Sequence, residues 1–284
     1  MKTLKTTFLL TALTLLLLGL GQAVAGQRGL TFALVIAVLM NGTAYFFSDK
    51  IALASSGAVP ISREQVPRLY QVMERLSAKA NIPMPKLYLI PQEAPNAFAT
   101  GRNPSHASVA VTQGLLELMN DDELEGVIAH ELSHVRNYDI LTSSIAATLA
   151  GAITWAAELG RWGMIFGGGG GGEERERGGG LTALLMLILA PMAALLLQLG
   201  ISRQREFQAD ASGAQMVGHP YGLISALEKL GAYNKRIPMD VPPSTSALMI
   251  VQPLTAGQTF SSLFSTHPPL GDRIAALREM TVTR

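Results

Sequence analysis

The chain contains no cysteine. That excludes disulfides, thiol nucleophiles and thiolate metal sites, so any metal must be held by histidine and carboxylate. Charge is scarce as well: Asp, Glu, Lys and Arg make up 15 % of 284 residues, and the mean hydropathy is +0.28. A soluble enzyme of this length carries more charge. The formal net charge of +1 leaves no basic excess, so no nucleic-acid partner is expected. Histidine is nearly as rare, at five residues, and two of the five stand four positions apart.

The apolar residues fall in four blocks. A bilayer core about 30 Å thick needs about 20 helical residues at about 1.5 Å each. Thr6 to Ala25 meets that length, and Leu30 to Phe47 is a second candidate interrupted by Asn41-Gly42-Thr43. Ile140 to Ala157 is less apolar, and its Ser143, Ala147 and Gly151 form a small-residue face suited to close packing. Leu181 to Ile201 is the last and contains Pro191. The first block has a rival reading, because Lys2, Lys5, the apolar run and Ala23-Val24-Ala25 also resemble a cleavable secretory signal. A second apolar block follows within a few residues, which favours a retained helical hairpin.

These blocks divide the chain into an N-terminal transmembrane hairpin (1–49), a first catalytic part (50–139), a second transmembrane hairpin with a glycine-rich loop (140–201) and a second catalytic part (202–284). In the first catalytic part, Ser62 to Lys79 has helical spacing, while Lys86 to Ile90 and Ala107 to Thr112 read as strands. Residues 161–180 read as a flexible linker around Gly167 to Gly172. The Pro-, Ser- and Thr-rich stretch 236–268 reads as a surface excursion or lid.

Chemistry concentrates in one helix. Asn120-Asp121-Asp122-Glu123 supplies a cap, an acidic first turn and a glutamate at the capping-box position. The helix it opens carries His130-Glu131-Leu132-Ser133-His134. Histidines one turn apart point the same way and can share one zinc ion. Glu131, beside the first of them, is placed as the base that activates a water for peptide hydrolysis.

Two histidines leave a catalytic zinc one protein ligand short. Gly at 137 and His at 140 would complete a metzincin pattern, but Asn137 and Ile140 stand there. Glu206, just after the last apolar block, is one candidate, with Asp210 a turn away to orient a ligand imidazole. Asp139 and His267 are its rivals, and Asp139 is a second candidate for the orienting part. Two spans between His134 and Glu206 would return the chain to the same membrane face. Lys2, Lys5, Lys50, Arg136, Arg203 and Arg205 flank that face, against Arg28, Arg161, Arg175 and Arg177 on the other, so the catalytic face is expected in the cytoplasm.

"HELSHVRNYD", "REFQAD", "PNAFATG" at 95–101 and "STHPPLGDRI" at 265–274 together resemble the HtpX-type membrane metalloproteases, relatives of the CAAX-prenyl endopeptidases. The resemblance implies one Zn2+ per chain on His130, His134 and Glu206, with Glu131 catalytic. It also implies an inner-membrane, multi-pass enzyme that degrades damaged or unfolded membrane proteins under stress. The expected fold is α+β and mainly α: a membrane-anchored, gluzincin-like zinc protease with about four transmembrane helices and a small edge sheet. Within it, Asn96 to Thr100 is a candidate edge strand for extended substrate. His267 and Arg273 are candidates for stabilising the oxyanion or fixing the lid. His106 and His219 read as surface residues.

Two other readings fit less well. An intramembrane protease would bury the His130–His134 helix in an apolar span, which the polar turn Asn120 to Glu125 contradicts. A proteolytically dead scaffold that keeps zinc for stability has no use for Glu131. No oligomeric state follows from the sequence.

Overall fold

A computed structural model describes residues 2–166, 202–233, 236, 239–253 and 267–280. The fourth apolar block, 181–201, and the glycine run lie outside the described residues, as does the whole 254–266 stretch that precedes His267.

The first two apolar blocks form one long element, α1 (Lys2–Ser55), broken at Ala25 and Gly26. Gly26 adopts φ 56°, ψ −139°, a region only glycine enters readily, and the chain folds back there. The two arms run antiparallel: Asn41 Nδ2 donates to Thr14 Oγ1 at 2.8 Å. The interruption at Asn41 is thus a polar clasp inside the hairpin. The second arm, Ala25–Ser55, is long and apolar enough to cross a membrane, and only 11 % of its most apolar window is buried. The first arm is apolar over Thr6–Gly19, shorter than the block expected from sequence.

The folded body after α1 begins with a four-stranded sheet of β1 (Val59–Pro60), β2 (Lys86–Ile90), β3 (Ala97–Gly101) and β4 (Ala107–Thr112), in the order β1-β2-β4-β3. β2 and β4 match the expected strands residue for residue. They pair in parallel, while β3 lies antiparallel on β4 and forms the sheet edge. Helix α2 (Pro67–Ala80) packs Leu69, Val72, Met73 and Leu76 into the core, and it starts five residues later than the apolar spacing suggests because Pro67 takes its first turn. A short α3 (Gln113–Leu118) leads into α4 (Asp121–Arg136), the helix that carries the two histidines.

After α4, Tyr138 turns the chain with φ 61°, and α5 (Asp139–Phe166) begins. α5 is apolar over Asp139–Thr154 and packs Ile145, Leu149 and Ile153 against Leu9, Leu13 and Ala44 of the hairpin. It runs on through 161–166, where the sequence reads as linker. Its small-residue face packs closely on neighbouring helices: Ala147 joins the cluster with the hairpin, and a Cβ on Gly151 would stand 3.0 Å from Ser244 Oγ in the short helix at Pro243–Ser246. Helices α6 (Arg203–Val217), α7 (Tyr221–Tyr233), α8 (Pro243–Ser246) and α9 (Leu270–Glu279) complete the described body.

One expectation is overturned here. The described part of 236–268 is no surface excursion: Val241, Thr245, Ala247, Met249 and Ile250 are buried. Its scattered apolar residues pack against α5, the hairpin and β3, and the prolines only keep the segment from forming a longer regular element.

Candidate metal centre

Helix α4 sits where its chemistry needs it because both its ends and its flank are fixed. Asn120 Oδ1 accepts from the Glu123 N–H and Glu123 Oε2 accepts from the Asn120 N–H, each at 2.9 Å, closing the capping box. Glu123 is held in turn by Ser225 and Lys229 of α7, at 2.6 and 2.7 Å. On the flank, α6 approaches closely at Gly213, where a Cβ would stand 3.0 Å from the His130 nitrogen. That contact brings Glu206 and Asp210, one turn apart on α6, onto the histidine face of α4.

Three ligand atoms converge there. His130 Nε2 and His134 Nε2 are 3.2 Å apart, Glu206 Oε1 is 3.4 Å from His134 Nε2, and Glu206 Oε2 is 3.7 Å from His130 Nε2. Zinc ligands at about 2.0–2.1 Å in a tetrahedron stand about 3.3–3.4 Å from one another, so the group fits a single ion. The chemistry of the donors agrees. Glu206 Oε2 is buried without a hydrogen-bond partner, and two imidazole nitrogens face each other with a carboxylate beside them. Both arrangements suit a cation. The group can bind a metal.

Each of the two imidazoles is oriented from behind. His130 Nδ1 lies 2.9 Å from Asp210 Oδ1, which assigns the proton to Nδ1 and leaves the Nε2 lone pair facing the cluster. Asp210 is gripped by Arg273, whose Nη2 and Nε donate to its two oxygens at 2.6 and 2.8 Å. His134 Nδ1 lies 3.5 Å from Asp139 Oδ2, and Arg205 stands 3.3 Å from the same carboxylate. Of the rivals to Glu206, then, Asp139 sits on the far nitrogen of His134. His267 Nδ1 stands 3.1 Å from Glu206 Oε2 on the open side, with its Nε2 3.2 Å from the Ala247 carbonyl.

Burial pushes the Glu131 carboxyl up to about 7, with Glu206 adding to the rise and His134 opposing it; the Ala99 N–H donates to this carboxylate. Burial likewise holds His130 below its ordinary value. At His134 burial also disfavours the charge, but Glu206 and Asp139 outweigh it and raise the imidazole to about 10. Burial works against the charge of Glu206 too, yet His267 and His134 hold its carboxyl well below the usual range.

The cleft in front of these groups measures about 30 Å³ and is closed by Ala247, Leu248, Met249 and Ile250. That is room for an ion and a water or two, since one water needs about 10–15 Å³. Asn96 ties the segment down: its Nδ2 donates to the Val251 carbonyl at 2.7 Å, and the Ile250 N–H donates to the Ala97 carbonyl at 2.9 Å. Arg273 does not line the cleft; it is fully buried, and its third contact is the Ile250 carbonyl at 2.8 Å. His106 is exposed, while His219 is half-buried and stacks on Tyr221. Sequence reasoning missed the Ala247–Val251 segment. The apolar run from Ala247 to Val251 inside a polar stretch was its only signal.

Comparison with known proteins gives the arrangement a family. The sequence model of peptidase family M48 matches residues 63–281. The chain belongs to peptidase family M48. Its M48 relatives include a "Protease HtpX homolog" of Desulfatibacillum aliphaticivorans, 56 % identical over 273 residues, covering 96 % of this chain and 88 % of that protein. Another, of Thermodesulfovibrio yellowstonii, is 52 % identical over 280 residues and covers 99 % of each chain. This M48 chain is thus an HtpX-type protease, and a metalloprotease. The crystal structure of S. mikatae Ste24p shares its fold with a TM-score of 0.53 at 20 % identity, over 97 % of this chain; the chain spans 64 % of that structure's length.

Proposed function

We propose that this metalloprotease is a zinc-dependent, gluzincin-like endopeptidase of the membrane, in which His130, His134 and Glu206 hold the metal and Glu131 is the general base. The observation that carries the reading is Glu131 itself: a carboxyl buried beside three converging ligand atoms and lining the cleft in front of them. A carboxylate so placed can take a proton from a water in that cleft and return it. A purely structural metal site has no need of one.

Bound zinc would supply Lewis acidity, making a water acidic and polarising the scissile carbonyl. The remaining work falls to the chain. Glu131 takes the proton from the attacking water and delivers it to the leaving amine, while the Ala99 N–H keeps its carboxylate aimed at the cleft. Asp210, fixed by Arg273, holds His130 in the tautomer a ligand needs, and Asp139 does the same for His134. His267, on the open side, is the residue placed to stabilise developing negative charge on the substrate oxygen.

Substrate is proposed to bind as an added strand along β3. Because Asn96 O accepts from the Thr112 N–H, alternation turns the backbone groups of Ala97 and Ala99 outward. Ala97 pairs there with Asn96 and Ile250, and the Ala99 N–H with Glu131, so an entering strand would displace the Ala247–Val251 segment to reach this edge. Backbone pairing there would take any extended polypeptide, which suits a protease of unfolded or damaged membrane proteins in stress-related quality control. We place the enzyme in the inner membrane with about four spans and its catalytic face in the cytoplasm, supported by the apolar second arm of α1 and by the Lys and Arg residues on that side.

The test is direct. Protein purified in detergent should cleave casein with zinc present, lose the activity to a chelator and regain it on zinc addition. Cleavage indifferent to chelation would refute a metal-dependent mechanism.

A further inference from the structure

Among the described residues, a recess of about 760 Å³ separate from the cleft lies at the junction of α4 and α5. Its lining comes from three separate places: Lys79, Asn81 and Ile82 at the end of α2, Asn103 and Ser105 after β3, and Arg136 and Tyr138 at the end of α4. Among the described residues, no carboxylate lines it. Lys79 and Arg136 are both exposed; Lys79 Nζ reaches only the Met216 carbonyl, at 3.4 Å, and Arg136 makes no ion pair or side-chain hydrogen bond among the described residues. Two cations and several neutral donors facing one volume are suited to an anion.

The position says which anion. Tyr138 immediately precedes α5, whose apolar part begins at Asp139. One turn along, Thr142 meets Thr6 of the hairpin at 3.0 Å, so Lys2 and Lys5, just before Thr6, lie at the same level. The antiparallel register set by Asn41 and Thr14 brings Lys50 of the second arm to that level as well. Arg205, which follows the last apolar block, reaches Asp139 at 3.3 Å. Every described apolar helix thus meets its first charges on one plane, and the recess opens beside that plane with an exposed tyrosine on its rim, as at membrane interfaces.

We infer that the Lys79–Arg136–Tyr138 recess is a binding site for the phosphate headgroup of an anionic phospholipid. Lys79 and Arg136 carry the charge recognition, Asn81, Asn103 and Ser105 offer neutral donors to phosphate and glycerol oxygens, and Tyr138 packs where headgroup gives way to acyl chain. The plain alternative is that each cation only complements the carboxyl end of its own helix. That accounts for either residue alone, but not for their facing one acid-free recess at the membrane level. The inference rests on the proposal that α5 is embedded in the membrane.

The test uses the full chain in mixed micelles and native mass spectrometry, with phosphatidylglycerol and phosphatidylcholine of equal acyl length as probes. Wild type should retain phosphatidylglycerol over phosphatidylcholine, and the Lys79→Gln/Arg136→Gln double variant should lose about tenfold of that preference, the scale of two basic side chains at an anionic surface. Arg278→Gln, which removes a charge paired with Glu228 elsewhere, should keep it. Arg136→Lys should restore most of what Arg136→Gln loses, and unchanged zinc content in every variant shows that the α4 helix is intact. An equal preference in wild type and double variant overturns the site. Displacement of the lipid by millimolar inorganic phosphate overturns its assignment to a lipid headgroup. A protein that stays monodisperse without detergent would instead refute the membrane reading beneath it.

Discussion

Arg273 reaches Asp210 with two nitrogens, at 2.6 and 2.8 Å, and both side chains are buried. Asp210 in turn lies 2.9 Å from the outer nitrogen of His130. A charge pair 63 positions apart in the chain therefore orients one histidine of the proposed metal centre.

Breaking such a pair leaves an uncompensated buried charge. Arg273→Leu should lower stability by about 3–5 kcal/mol, measured by chemical denaturation of the detergent-solubilised protein. Arg273→Lys keeps the charge but not the two-pronged contact, and should fall between it and wild type. Equal stability of Arg273→Leu and wild type would mean that Asp210 is satisfied elsewhere.

The cap of α4 offers a smaller effect far from the metal. Asn120→Ala removes one bond of the capping box and should cost about 1 kcal/mol. Zinc content should not change. A loss of metal in this variant would show that the helix start controls the register of His130 and His134.

In the proposed centre, zinc and protons compete for His134. Burial disfavours its charge, yet Glu206 and Asp139 raise the imidazole to about 10 in the metal-free protein. A raised value means that the His134–Glu206 pair contributes its full stability below about 6.5, the ordinary histidine value, and loses it as pH rises toward about 10. Metal binding runs the opposite way, since the ion must expel that proton. Zinc affinity should rise by about tenfold per pH unit between pH 6.5 and 8.5, with about one proton released per ion. Calorimetry in buffers of different ionisation enthalpy measures the proton count; none released at pH 7.5 would contradict the assignment.

Much of this was legible in the sequence. The cap at Asn120, the strands at 86–90 and 107–112, and the joint face of His130 and His134 follow from local spacing alone. Glu206 was legible only as one candidate among three, because its approach to α4 depends on a helix contact at Gly213 that no local pattern encodes. Segment 239–253 was misread for a related reason. Its prolines and hydroxyls look like solvent-facing loop, whereas the buried Thr245 hydroxyl pairs with Ser55 at 2.8 Å. Hydrogen-bonded in this way, a hydroxyl loses little on burial.

The choice of third ligand has its own test. Glu206→Ala should abolish activity and weaken zinc retention by several orders of magnitude, since it removes one of three protein ligands. His267→Ala should keep the metal and lose turnover, by about 10²–10³-fold if the imidazole stabilises the oxyanion. Zinc held without Glu206 but lost without His267 would reverse the two assignments.

The account depends most on Glu131, buried beside the ligands and touching the Ala99 backbone. The measurement that tests it most directly is made on one purified preparation of Glu131→Gln, with metal analysis and casein cleavage side by side. The account predicts zinc at the wild-type level and turnover reduced to background. Near-wild-type cleavage by that zinc-loaded variant would contradict it.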